Sequence, residues 1–164
     1  MRRCLSEVSD VFDLHSSHPL ENFWLVPDVW GRYDHARTLH WTRIPFAPAN
    51  ATLVPDHPGV YAFVLEHHVA KDLPASFPMY IGMSAGSIRQ RYRSYQGQAF
   101  RGKRGRPRLD RLFGIWKPHL AFYYVTDLAT DSPGSLEQTL INTLMPPMNR
   151  SGFEADVKRL VAAF

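Results

Sequence analysis

Two residues of this chain stand where side-chain chemistry is hard to hide. In SPGSLEQTLINTLMPP, residues 132–147, Leu136, Leu140, Ile141, Leu144 and Met145 recur at helical spacing and mark one apolar stripe. Glu137 falls near the centre of that stripe. Burying an ionised carboxylate without a partner costs on the order of several kcal/mol, so Glu137 is protonated, paired or bound to a cation. In SIRQRYRSYQ, residues 87–96, Ile88, Tyr92 and Tyr95 define the inward face of a second helix. Arg91 lies beside that face, one turn before Tyr95 and pointing towards the sheet, whereas Arg89 and Arg93 project the other way. Arg91 either runs its stem along the helix edge or meets a buried acid. A carboxylate and an inward arginine on separate helices can be each other's partner.

The second chemical signal is RGKRGRPR, residues 101–108, with five positive charges, two glycines and one proline. Such a segment builds no core and faces solvent or a polyanion. Net charge over the chain is +4. Between Arg89 and Arg111, however, nine Lys and Arg stand against Asp110 alone, a local +8, which leaves −4 for the remainder. Charge concentrated in one stretch is the footprint of a nucleic-acid-binding stripe. RGRP at 104–107 also resembles an AT-hook, whose glycine and extended proline suit the minor groove. General phosphate binding by Arg101, Lys103, Arg104, Arg106 and Arg108 is the preferred reading of this loop, with Arg89 and Arg93 beside it.

These residues need elements to position them. With 164 residues, 45% of them apolar, the chain can form one ordinary domain and an appendage. Residues 1–56 read as an extension carrying Trp24, Trp30 and Trp41, with a weak helical face through Leu5, Val8, Phe12 and His15. Pro45, Pro48, Pro55 and Pro58 follow as an extended connector. GVYAFVLE (59–66) and PMYIGMS (78–84) read as antiparallel strands joined by a long loop from His67 to Phe77. Ser87 is placed to cap the helix after them. A basic insertion spans 97–111, LDRLFGIW (109–116) predicts a short helix, and LAFYYVTD (120–127) a third strand. Ser132 or Ser135 caps the last core helix, and Pro146 and Pro147 stop it. Residues 151–164 predict an amphipathic tail helix through Phe153, Val157, Leu160 and Phe164.

Cys4 is alone, which excludes an intrachain disulfide and a thiolate zinc site and points to a reducing, cytoplasmic compartment. No run of 18 apolar residues and no secretory h-region is visible, so no membrane partner is expected. Of the eight histidines, the pairs His15/His18 and His67/His68 lack a convincing set of companions, and His57 and His119 read as surface or loop residues.

GVY at 59–61 and YIG at 80–82 stand on the first two predicted strands and resemble the two halves of the GIY-YIG nuclease signature. RQRYRSY at 89–95 resembles that family's helix, placing its catalytic arginine on Arg91 and a helical tyrosine on Tyr95. LEQTLINTLMPPMN at 136–149 resembles its closing segment, placing the metal-binding glutamate on Glu137 and a terminal asparagine on Asn149, 12 residues later. The resemblance covers about residues 57–150. It implies an α/β fold of the α+β kind, with a small three-stranded antiparallel sheet flanked by helices, and hydrolysis of DNA phosphodiesters with one Mg²⁺ or Mn²⁺.

In that scheme Glu137 holds the ion and Arg91 stabilises charge at phosphorus. Tyr61 is a base or orients the nucleophile, and Tyr80 and Tyr95 hydrogen-bond the nucleophile or the phosphate. A phenol titrates near 10, so Tyr61 needs help to act as a base. Gly59 and Gly82 keep side chains away where backbone and substrate approach closely. Met83 departs from the pattern, because many members carry lysine directly after YIG. That departure, with the basic insertion, keeps open a catalytically silent DNA-binding module on the same fold. Another alternative is a partner-dependent subunit, or a homodimer, assembled through the extension or the tail helix.

Overall fold

The computed structural model describes residues 39–70, 73–128, 132–149 and 151–162. The helix expected through Leu5, Val8, Phe12 and His15, together with Cys4, Trp24, Trp30 and Phe164, lies outside them. The chain is α+β: a four-stranded antiparallel sheet with helices on both faces. In chain order these are β1 (Thr42–Pro45), β2 (Gly59–Ala70), β3 (Leu73–Ser84), α1 (Ile88–Arg101), α2 (Pro107–Trp116), β4 (Leu120–Val125), α3 (Pro133–Leu144) and α4 (Ala155–Ala162). The order across the sheet is β1-β4-β2-β3.

The expectation of three strands is therefore corrected to four. The added strand, β1, pairs Ile44 with Phe122 at one edge. It is four residues long, buries only Ile44 and ends in proline, so it leaves no period-2 pattern to read. The expected loop from His67 to Phe77 is also corrected. β2 and β3 run on as 12-residue strands, and their ladder reaches Ala70 opposite Leu73. Prolines at 74 and 78 are tolerated because β3 is an edge strand. A register shift at Phe63/Val64 leaves Met79 without an opposite residue. This bulge lets Met79 and Tyr80, though adjacent, both enter the same core.

Strand alternation divides the interior in two. Tyr61, Phe63, Leu120, Phe122 and Tyr124 face α1 and α2, while Val60, Ala62, Ile81 and Val125 face α3. The connector belongs to the first of these cores, through Phe46 and Val54. The Phe46 ring lies 4.9 Å from Phe63 and 5.3 Å from Phe113. Gln96 Nε2 on α1 donates to the Ala47 and Pro48 carbonyls at 2.9 and 3.0 Å.

The connector also caps α1. The first turn of a helix leaves backbone N–H groups without intrahelical acceptors. Here Ile88 N donates to the His57 carbonyl at 2.9 Å and Arg89 N to that of Pro55 at 3.2 Å, while the Ser87 hydroxyl accepts from Gln90 N at 3.1 Å. The expected cap on Ser87 is thus present, and Ser132 does the same for α3, accepting from Ser135 N. Pro107 opens α2, where its missing N–H is harmless. Val157 buries the inner face of α4. No helix among the described residues is long and apolar enough to cross a membrane.

Because Phe46 fills the core from the connector, Phe46→Ala should destabilise the protein by about 3–5 kcal/mol, as large aromatic truncations in cores do. Urea denaturation measures this. A loss below about 1 kcal/mol would show that the connector is loosely attached.

Candidate functional site

The site lies at the β3 edge of the sheet, where both cores meet. A cavity of about 480 Å³ opens there, lined by Tyr80 and Met83 from β3, Glu137 and Gln138 from α3, Arg106 and Arg108 from the start of α2, and Asn149. Met83 faces away from Tyr80 and Gly82, as strand alternation requires. It still lines the cavity, because the site wraps round the strand edge instead of lying on one face.

Behind Tyr80 stands a layer of packed phenols. Tyr61 is 2% exposed, and its hydroxyl lies 2.8 Å from that of Tyr95. The three rings of Tyr61, Tyr80 and Tyr95 are 5.8–6.4 Å apart. Gly82 makes room for them: a Cβ there would sit 2.7 Å from the Tyr61 hydroxyl and 2.9 Å from the Tyr80 ring. At Gly59 a Cβ would strike the Val125 carbonyl oxygen at 2.3 Å. Both glycines thus clear space for the protein's own atoms.

Burial, and then Tyr95 and Tyr80 beside it, hold the Tyr61 phenol well above its ordinary range. Burial, and then Tyr80, push Tyr95 the same way. Both are neutral at physiological pH, and the deprotonated Tyr61 that base catalysis needs is disfavoured. A neutral hydroxyl pair positions Tyr80 and the strand that carries it.

Glu137 is half-buried at the flank of α3, where Leu136, Leu140 and Ile141 form the buried stripe. It borders the cavity instead of occupying the middle of the core. Among the described residues it forms no ion pair, so the expected pairing with Arg91 is not made in this structure. Burial raises its pKa, while a hydrogen bond from the Met83 backbone and the positive charges of Arg106 and Arg91 pull it down.

The arginines divide into three kinds. Arg91 is exposed, makes no side-chain hydrogen bond among the described residues and does not line the cavity, although its charge is felt by Tyr61 and Glu137. Arg89 holds the connector, its Nε donating to the Val54 carbonyl at 2.7 Å. Arg93, Arg101, Lys103 and Arg104 are exposed, as a phosphate-contacting surface requires. Arg106 is exposed as well, but its guanidinium reaches the cavity and donates to the Tyr80 hydroxyl at 3.1 Å. Sequence patterning grouped Arg106 with the other cations of the basic loop. The signal that sets it apart is the proline after it, which anchors it at the start of α2.

Asn149 is brought to the cavity wall, and its amide pairs with the backbone of β3. Nδ2 donates to the Ile81 carbonyl at 2.8 Å and Oδ1 accepts from Ile81 N at 2.9 Å, while Met148 N donates to the Met79 carbonyl at 2.9 Å. Residues 148–149 therefore pair with the open edge of β3 and close it. Asn149 positions the strand carrying Tyr80, using one of its two amide N–H donors on the Ile81 carbonyl.

Comparison with protein-family models, with curated protein sequences and with solved structures finds no match to this chain.

Two outcomes test this geometry. A carboxylate whose pKa is raised by the fold destabilises the native state above that pKa, and the penalty is relieved as pH falls through it towards the ordinary carboxylate range. Metal-free Glu137→Gln should therefore match or exceed the wild type in urea midpoint at neutral pH, with the gap closing as pH falls. A clearly less stable variant would show that attraction to Arg106 and Arg91, not burial, dominates at this carboxylate. Asn149→Asp cannot donate to the Ile81 carbonyl and sets a carboxylate against it. A loss of about 1–3 kcal/mol is expected, larger than for a surface substitution. An unchanged urea midpoint would mean that the clasp does not hold the edge.

Proposed function

We propose that this chain is a divalent-metal-dependent DNA endonuclease working through a GIY-YIG type of site. One observation carries the reading: a half-buried carboxylate without an ion-pair partner among the described residues opens into the same cavity as a tyrosine hydroxyl held by an arginine. That cavity lies at the foot of the most basic segment of the chain.

The donor set suits a hard, hydrated cation. Glu137 is the carboxylate that the described residues bring to the cavity wall, and no group of three or more His, Cys, Asp or Glu able to hold a metal occurs among them. Mg²⁺ keeps several waters and is commonly held by one or two carboxylates together with substrate phosphate. A cavity of about 480 Å³ has room for such an ion and its waters. When bound, the ion would polarise a phosphoryl oxygen and lower the pKa of a coordinated water.

The rest falls to the chain's own residues. In hydrolysis a water adds to phosphorus, one ester P–O bond breaks, and the departing oxygen takes up a proton. The Tyr80 hydroxyl lies on the cavity wall and accepts a hydrogen bond from Arg106. It would hold the attacking water or a phosphate oxygen there. Tyr61 and Tyr95, paired and neutral, keep the Tyr80 ring in place. Exposed Arg91, Arg93, Arg101, Lys103 and Arg104 would hold the backbone on either side, with affinity that falls as salt rises.

The silent-module reading has one observation in its favour, the uncharged Met83 on the cavity wall. Incubating wild type and Glu137→Ala with supercoiled plasmid and with branched duplexes, in Mg²⁺, Mn²⁺ or EDTA, separates the two. Cleavage by the wild type with metal is expected, with a loss on the order of 10²-fold or more in the variant, the scale for removing one group that stabilises developing charge. DNA binding without cleavage in every condition would leave the silent module.

A further inference from the structure

The segment RGKRGRPR is more ordered than its composition suggests, and the order serves one residue. Gly102, in the left-handed conformation at φ 66°, ends α1, and its N–H bonds back to the Gly97 carbonyl. Lys103 N donates to the same carbonyl at 3.1 Å, and the Lys103 stem crosses α1 where Gly97 has no side chain. Gly105 lies against Gln98, where a Cβ would collide with the amide, and Gly105 N donates to Asp110 Oδ2 at 3.2 Å. Pro107 then begins α2 and fixes the backbone after Arg106. The backbone of Arg106 is thus clamped on both sides. Arg101, Lys103 and Arg104 are directed to solvent.

We infer that Arg106 is a catalytic residue of this chain: its guanidinium receives the phosphate of the strand to be cut, inside the cavity that Tyr80 and Glu137 share. This rests on the nuclease reading and extends it to a residue from outside the YIG-bearing strand and its helix. Five donors make up a guanidinium fork, and one hydrogen bond, to Tyr80, is made by this one among the described residues. The remaining donors are available to the cavity. Among the described residues the cations lining it are Arg106 and Arg108, and the Arg108 guanidinium is directed to the Pro147 carbonyl at 3.4 Å. At Glu137, Arg106 also outweighs Arg91 among the nearby charges. The chemistry selected is a phosphodiester oxygen in reach of a carboxylate-bound cation, which a planar fork can meet with two parallel hydrogen bonds. The basic segment would therefore couple two tasks, grip by the cations away from the cavity and charge stabilisation by the one bonded to Tyr80.

Two measurements test this with the full chain. Binding of thymidine 3′,5′-bisphosphate in EDTA, followed by calorimetry, reads phosphate capture without any need for turnover. Wild type and the surface control Lys158→Ala should bind alike, Arg106→Ala should bind on the order of 10- to 100-fold more weakly, and Arg106→Lys should recover only part of the loss. Single-turnover cleavage with enzyme in excess then separates rate from affinity. Arg106→Ala should lower the maximal rate at saturating enzyme, whereas Arg104→Ala should raise the enzyme concentration needed for saturation. Equal bisphosphate binding by wild type and Arg106→Ala, or no binding by the wild type, would overturn the assignment. So would an Arg106→Ala enzyme that cleaves at the wild-type maximal rate. Bisphosphate capture that depends on Arg106, in a protein that cleaves no DNA with either metal, would support the phosphate site and sink the nuclease reading alone.

Discussion

Tyr61, Tyr80, Tyr92 and Tyr95 are among the tyrosines packed in the core under α1, and each buried phenol needs a partner for its hydroxyl. How those partners are found organises the molecule. Tyr61 and Tyr95 satisfy one another across the sheet–helix interface. Tyr92 turns to the connector, donating to the Ala47 carbonyl at 2.9 Å and accepting from Ala47 N at 3.1 Å, which ties residues 45–48 to α1. Tyr80, nearest the open edge, takes the Arg106 guanidinium. Core, connector and cavity are linked by a single layer of hydroxyl groups.

That arrangement puts a rigid layer under the wall of the cavity. Gly82 lets the Tyr61 hydroxyl approach the backbone of β3, and the Asn149 amide clasps the same strand from its outer edge. Tyr80 is therefore carried on a strand held from the inside by phenol packing and from the outside by a side-chain amide. Support of this kind keeps a site within the few tenths of an ångström that positioning requires. Glu137 is the opposite case. Its carboxylate lies against desolvating neighbours without an ion pair among the described residues, a cost borne where a cation or phosphate chemistry would repay it.

Charge is distributed on the same logic. Arg89, though part of the basic stretch, is used to hold the connector at Val54, while Arg106 is used to hold Tyr80. The cations left facing solvent are those on the outer side of α1 and on the loop that follows it. A single run of basic residues therefore does structural, positioning and surface work according to where each guanidinium can reach.

By itself the sequence determined the elements with strong local signals. Alternation in GVYAFVLE and LAFYYVTD, the Ser87 and Ser132 caps, Pro107 at the first turn of α2 and the proline stop after Met145 are each set by backbone chemistry within a few residues. The convergence of Tyr61, Tyr80 and Tyr95 was implied by the resemblance of GVY, YIG and RQRYRSY to the GIY-YIG signature, and Glu137 stood out as a polar residue among apolar ones. Only the tertiary structure decided the rest. β1 has one buried residue and gains its identity from pairing with β4. The β2–β3 hairpin extends through prolines because β3 has a free edge. Asn149 closes that edge, Arg91 stays at the rim, and Arg106 enters the cavity because α2 starts where it does. A helix face or a strand period is encoded by neighbours in sequence, whereas which guanidinium reaches which hydroxyl depends on elements dozens of residues apart, whose approach no local pattern records.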